Sequence, residues 1–166
     1  MRIVDPYLME LDREAGTTRR VLERVPDDKL AWKPHQKSMS LGQLSLHIAQ
    51  VPGAIAGFVT EPTLEAPAKF VQEAARSTGE VMSALEASLV KAKEVLGGMD
   101  DATAMSTWTL TREGRTLMSM PRIAVVRAIM LNHWYHHRGQ LSVYLRELNV
   151  PLPSIYGPSA DENPFA

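Results

Sequence analysis

The apolar residues of this chain recur every three or four positions over four long stretches, which is the pattern of amphipathic helices. The first stretch opens with Asp5 and Pro6 and is stopped by Pro26. The second opens at Ser40, where the S-x-x-Q spacing with Gln43 predicts a capping box. The predicted helices cover residues 5–25, 41–58, 68–96 and 121–148.

Four such helices with almost no strand signal predict an all-α fold, an up-down four-helix bundle. The exception is TWTLTREGRTLMSM (107–120), which alternates around Glu113 and Gly114 and predicts a short hairpin before the last long helix. The chain has 166 residues, of which 45% are hydrophobic, and contains no repeat or linker. We therefore expect a single domain over residues 1–166.

The composition excludes several classes of function. A net charge of -1, without a basic cluster, does not indicate a nucleic-acid-binding surface. No window approaches the roughly 20 apolar residues of a membrane span, and the charged start MRIVDPYLMELDRE is unlike a signal peptide. The absence of cysteine excludes disulfides and thiolate ligands, so any metal must be held by nitrogen and oxygen. We expect a cytoplasmic protein with no nucleic-acid or membrane partner.

Three of the five histidines lie within LNHWYHHRGQL (131–141). The apolar stripe of the fourth helix, extended by steps of three and four, passes through His133 and His137. Residues four apart on a helix are neighbours, so two imidazoles in this H-x-x-x-H spacing can reach one metal ion. His136 lies about 100° round the helix from His137 and is the weaker candidate for a ligand.

An H-x-x-x-H spacing also arises by chance, and histidine is often an ordinary interior residue. Two buried imidazoles need partners for all their nitrogens, however, and a shared metal would supply them. A third ligand has to come from another helix, where His47 lies at the edge of the second stripe. Taken alone, His47 also fits a boundary residue, whereas His35 falls in a solvated loop. Pro52, one turn after His47, is expected to kink that helix and to leave the Ile48 carbonyl without its helical donor.

Four polar side chains are candidates to hold the far nitrogens of the ligands. They are Gln43, Asn132, His136 and Gln140. Each of them also fits an ordinary polar residue on a helix. Arg138 is expected to pair with the acidic tail or to bind an anionic substrate. The three tryptophans fit packing anchors better than substrate platforms.

The segments TRRVLERVPDDKLAWKP (18–34), LGQLSLHIAQ (41–50) and NHWYHHRGQLSVYLRELNVPLPSIYG (132–157) resemble the DinB family of the DinB/YfiT-like superfamily. The resemblance implies a four-helix bundle in which one histidine of the second helix and two of the fourth bind a divalent metal. At the matching positions this chain has His47, His133 and His137. The resemblance also implies a homodimer and places Tyr156 over the mouth of the site.

Relatives in that superfamily use low-molecular-weight thiols. The chain is therefore expected to be a divalent-metal-dependent enzyme that transfers such a thiol to an electrophile or performs metal-assisted hydrolysis. Zn²⁺ is the expected ion, and histidine ligands also suit Ni²⁺, Fe²⁺ or Cu²⁺. Two alternatives stay open at this point. One is a non-catalytic, metal-stabilised dimer acting in stress response or binding, and the other is a metal-free bundle with buried, hydrogen-bonded histidines.

Overall fold

A computed structural model describes residues 1–166, and most of them are helical. The helices before the hairpin are α1 (Asp5–Leu22), α2 (Leu41–Phe58), α3 (Thr78–Gly97) and the short α4 (Asp101–Met105). A continuous helical stretch follows the hairpin and consists of α5 (Arg122–Val125), a π-helical segment (Val126–Leu131) and α6 (Asn132–Glu147). The long helices share one cluster of 32 buried apolar residues, so they enclose a common core. None of them combines the length and the hydropathy that crossing a membrane requires.

The chain also forms a three-stranded mixed sheet, so the prediction of an all-α up-down four-helix bundle is wrong. Its strands are β1 (Thr63–Glu65), β2 (Thr107–Arg112) and β3 (Arg115–Pro121), in that spatial order. β2 and β3 form the predicted antiparallel hairpin, and Glu113 and Gly114 take positive φ angles of 51° and 75° in its tight turn. β1 pairs in parallel with β2.

β1 lies within TEPTLEAP (60–67), which as a sequence is typical of a linker. A strand of three residues carries too little alternation to be recognised, and it exists because the edge of β2 offers free backbone groups. The backbone N–H of Ala66 donates to the Thr111 carbonyl at 2.7 Å and extends this pairing. The pairing fixes where the following segment starts.

The third helix begins at Thr78, about ten residues later than the apolar pattern predicts. Ser77 caps it by accepting a hydrogen bond from the Glu80 N–H at 3.1 Å. The residues between β1 and this cap, 66–77, form a non-helical segment, here called the covering segment. The N–H of Ala75 donates to the Gly42 carbonyl, so the segment is attached to the start of α2.

The buried face of the last helix includes Trp134, Arg138 and Leu141. Its first two positions come one residue after His133 and His137, through which the predicted stripe passes. His133 and His137 are only half-buried and lie at the edge that faces α2. Arg138 can occupy a core position because its guanidinium pairs with the buried Glu14 carboxylate of α1 at 2.7 Å. Arg138 therefore forms no ion pair with the acidic residues of the tail, although it donates a hydrogen bond to the Tyr156 hydroxyl there.

Candidate metal centre

Three histidines from two helices meet at one point. His47 of α2 lies with its Nε2 atom 3.2 Å from Nε2 of His133, and the Nε2 atoms of His133 and His137 on α6 are 2.6 Å apart. One ring nitrogen from each residue falls within 4.8 Å of the other two, so the triad could hold a metal ion. The structure thus brings together the three residues named from the sequence.

Each imidazole is also held from its far side. His137 Nδ1 lies 2.6 Å from the amide oxygen of Gln140. The backbone of Ile129 acts on His133, and the side chain of Gln72 acts on His47, as a hydrogen-bonding group that raises the pKa of the ring. Because the Nε2 atoms of these two rings face the triad, Nδ1 is the atom left to make the outer bond.

These outer contacts favour one tautomer of the rings. An amide or backbone oxygen accepts a hydrogen bond, so the favoured form of each ring carries its proton on Nδ1, as the contact between His137 Nδ1 and the Gln140 amide oxygen indicates. The three Nε2 atoms are then left with lone pairs that point toward one another. Lone pairs at these separations repel unless a cation lies between them, and a neutral imidazole with a free Nε2 is the form that binds metal.

The electrostatics of the triad favour the neutral rings. Burial lowers the pKa of all three histidines, and for His137 it lowers the pKa to about 4. Repulsion between neighbouring rings lowers these pKa values further, whereas the outer bonds of His47 to Gln72 and of His137 to Gln140 act in the opposite direction. The triad is therefore available as three neutral nitrogen donors at neutral pH.

The donor set fits a tetrahedral or facial metal site. Ligand bonds of about 2.0–2.1 Å place two nitrogens about 3.4 Å apart at a tetrahedral angle and about 3.0 Å apart at a right angle. The distance of 3.2 Å between His47 and His133 lies within this range, and the 2.6 Å between His133 and His137 is shorter. Three imidazoles without a cysteine or carboxylate are typical of a catalytic zinc site, which keeps one position free.

The relative position of the two helices is fixed by a hydrogen bond next to the triad. Pro52 has no N–H, so the buried carbonyl of Ile48 lacks its helical donor, as the sequence predicts. The indole N–H of Trp134, the residue after His133, donates to this carbonyl at 2.9 Å. The bond joins α2 and α6 one residue away from a histidine on each side.

The π-helical segment ends two residues before His133. The N–H of Asn132 donates to the carbonyl of Arg127, five residues back, instead of four as in an α-helix. Ile129, whose backbone holds His133, lies inside this segment. Single π turns of this kind occur often at functional sites.

Of the four side chains predicted to hold the far nitrogens of the ligands, one is hydrogen-bonded to a histidine ring. Gln140 contacts His137, as described above. The amide of Gln43 instead completes the capping box by accepting from the Ser40 N–H at 2.9 Å, and its other end donates to the Gln72 carbonyl. Asn132 and His136 are exposed, and the His136 ring meets only the outer edge of His137, with 4.9 Å between centroids.

Gln72 was missed from the sequence. It falls within the stretch predicted as helix, 68–96, and only the non-helical covering segment brings it to His47. No local pattern marks it. Tyr156, expected at the mouth of the site, instead donates its hydroxyl proton to Glu14 at 2.8 Å. Trp108 and Trp134 are buried packing anchors, as predicted.

A cavity of about 370 Å³ borders the triad at His47 and His133. α2 forms one of its walls and the covering segment forms the other. Six of the ten lining residues are apolar, and they are Val51, Ala54, Ile55, Phe58, Phe70 and Val71. A small molecule in this cavity would lie against two of the three histidines.

The fold and the site define a class of protein: it is helical, has a small mixed sheet and carries a candidate metal centre of three histidines. The family model of the DinB family matches residues 3–163, and the chain belongs to this family. The uncharacterized protein YrdA of Bacillus subtilis strain 168 is 25% identical over 162 residues, which are 96% of this chain and 91% of YrdA.

Two crystal structures of DinB-like proteins have the same fold. One is YjoA of Bacillus subtilis, with a TM-score of 0.70 and 20% identity, covering 91% of this chain and 98% of YjoA. The other is from Bacillus cereus ATCC 10987, with a TM-score of 0.67 and 21% identity, covering 90% of this chain and 95% of that protein. At these identities the likeness supports the fold alone.

Proposed function

We propose that this protein is a divalent-metal-dependent enzyme whose ion is held by His47, His133 and His137. The observation that carries the proposal is the convergence of three Nε2 atoms whose rings are oriented from behind by Gln72, Ile129 and Gln140. A metal-free core gives no physical reason for three Nε2 atoms to face one another, because histidines in a core form hydrogen bonds more simply with ordinary donors and acceptors.

The adjoining cavity supports an enzyme over a purely structural metal site. A structural site is closed by protein ligands, whereas this chain offers three ligands and an apolar space beside two of them. A bound divalent ion lowers the pKa of water from about 15.7 to about 7 and holds a thiol as its thiolate. With no cysteine in the chain, the nucleophile has to be water or an external low-molecular-weight thiol.

The reaction classes that follow are hydrolysis and transfer of a thiol to an electrophile. In both, the chain contributes position: the two helices hold the imidazoles, and the covering segment shields the cavity from water. Zn²⁺ is the proposed ion, and Ni²⁺ and Fe²⁺ share the ligand preference.

Zinc titration of the purified protein tests the metal site. We expect one equivalent to bind, with a stabilisation of about 2.7 kcal/mol when free zinc is 100 times the dissociation constant. Replacing any one of His47, His133 or His137 by alanine should abolish both effects. The matched control is His136→Ala, which removes an exposed imidazole from the same helix and should leave both unchanged. Loss of binding in His136→Ala, or less than about a tenth of an equivalent bound by the wild type, would contradict the site.

Turnover is tested separately with a panel of esters, and of thiols combined with electrophiles. Activity that requires the added ion and disappears in His133→Ala supports the enzyme. Zinc binding and stabilisation without turnover on any member of the panel would support the non-catalytic, metal-stabilised protein instead. A homodimer and a cytoplasmic location, both expected from the sequence, stay predictions, and light scattering after gel filtration tests the first.

A further inference from the structure

The walls of the cavity beside the triad are mostly apolar. On α2, Val51, Ile55 and Phe58 follow one another at steps of four and three, so their side chains share the face that lines the cavity. The covering segment contributes Phe70 and Val71 from the opposite side. The polar groups are the two histidines and the amides of Gln50 and Gln72, and Gln72 lies at the histidine end through its bond to His47.

The lining contains no aspartate, glutamate, lysine or arginine. This is a property of the cavity and not of the whole surface, because the depression near the start of α2 is lined by Asp27, Asp28, Lys33 and Arg76. A charged ligand that enters the metal-free cavity loses part of its hydration and finds no side chain of opposite charge there, which makes its burial unfavourable. The lining therefore favours uncharged ligands over charged ones.

Phe70 and Val71 are adjacent and leave 75% and 77% of their surface exposed. Isolated exposed apolar side chains are common, but these two are adjacent and both border a cavity. A ligand lying against them would remove apolar surface from water on both molecules. The exposure is thus accounted for by an apolar occupant of the cavity.

We propose that the cavity binds an uncharged, largely apolar small molecule with one polar group directed at the histidine end. The molecule's role as a substrate rests on the proposed function, but its binding does not. In the metal-free protein, anionic molecules, including thiols that carry several carboxylates, should bind this cavity more weakly than neutral molecules of the same shape.

Benzamide, benzoate and benzamidinium test this inference, because they have nearly the same shape and differ in charge. Each is titrated into ¹⁵N-labelled protein, both as purified and after chelator treatment, with helical content followed by circular dichroism. We expect benzamide to bind about tenfold or more tightly than either ion in the chelator-treated protein, where no metal attracts the carboxylate. The shifted amide signals should belong to α2 between residues 50 and 58 and to the covering segment.

Ala54→Trp fills the cavity from an exposed position on α2 and should abolish the benzamide shifts. Val90→Trp, an equally bulky change at an exposed position of α3 outside the cavity, should retain them. Benzoate or benzamidinium binding as tightly as benzamide would overturn the inference, and so would benzamide binding that survives in Ala54→Trp. If the chelator-treated protein unfolds, the benzamide and benzamidinium titrations of the purified protein decide. Zinc titration is independent of these results, so failure of the metal site and failure of the cavity are distinguishable.

Discussion

From the hydrogen bond between Trp134 and the carbonyl of Ile48, we predict that substitutions of Trp134 and Pro52 are coupled in their effect on stability. Both Trp134 and Ile48 have no exposed surface, so Trp134→Phe leaves a buried carbonyl without a donor. That loss costs about 1–3 kcal/mol. The smaller ring adds a packing loss, and we expect a total decrease of about 2–5 kcal/mol in the free energy of unfolding.

Pro52→Ala restores an N–H four residues after Ile48, and this N–H can donate to the same carbonyl within α2. In that background Trp134→Phe should cost only the packing loss. The double-mutant cycle should therefore show a coupling energy of about 1–3 kcal/mol. Urea denaturation followed by far-ultraviolet circular dichroism measures all four proteins, since the signal does not depend on tryptophan.

Trp108→Phe is the matched control. Trp108 is buried and its indole N–H donates to the Phe58 carbonyl at 2.9 Å, but Phe58 lies six residues beyond Pro52. The costs of Trp108→Phe and Pro52→Ala should add within about 0.5 kcal/mol. If Trp134→Phe costs the same with and without Pro52, the indole is not what satisfies the Ile48 carbonyl, and the reasoning fails.

Three further predictions concern the rest of the molecule. Since burial lowers the pKa of His137 to about 4 in the folded protein, the unfolded chain binds a proton there that the folded chain excludes between pH 6.5 and 4. The free energy of unfolding of metal-free protein should thus decrease as the pH is lowered from 6.5 to 4, and less steeply in His137→Gln. Arg138→Met should cost up to about 3–5 kcal/mol, because it removes the buried partner of the Glu14 carboxylate and leaves only the Tyr156 hydroxyl and the exposed Arg13 beside it. Gly53→Ala should destabilise, because its new Cβ would lie 2.8 Å from the backbone of α3, whereas Gly16→Ala meets no atom within 4 Å and should be neutral or stabilising.

For each of these three predictions, a specific result would contradict the reasoning. Equal pH slopes in wild type and His137→Gln would show that His137 is not protonated on unfolding. An Arg138→Met variant as stable as the wild type would mean that Glu14 is solvated or neutral. For the glycines, denaturation midpoints of Gly53→Ala and Gly16→Ala that move together would show that α2 and α3 do not approach closely at Gly53.

The sequence predicts the helices well where local signals and burial agree. The capping box of Ser40 and Gln43 marks the start of α2, and the tight turn at Glu113 and Gly114 marks the hairpin. The histidines were found because imidazoles within an apolar stripe are conspicuous. These features depend on residues close together in the chain, which is why a pattern can reveal them.

The errors concern features that depend on distant residues. β1 exists only because β2 offers it an edge, and Gln72 reaches His47 only because the covering segment is not helical. Phe70 lies on the helical period that predicts a core-facing stripe, but together with Val71 it faces a cavity and not the core. Arg138 occupies a core position that an apolar stripe would assign to leucine, since Glu14, more than a hundred residues away in sequence, neutralises it. A single sequence contains no local record of such partners.

The covering segment contributes to the cavity but little to the core. It is attached at its start through Ala66 and β2, at its end through Ser77, and to α2 through Gly42 and Gln43. The residues between these attachments, apart from Gln72, whose side chain acts on His47, can therefore change without loss of the packed helices or of the histidine positions. Exchange of this segment between relatives would be a direct way to alter which molecules the site accepts while its chemistry stays the same.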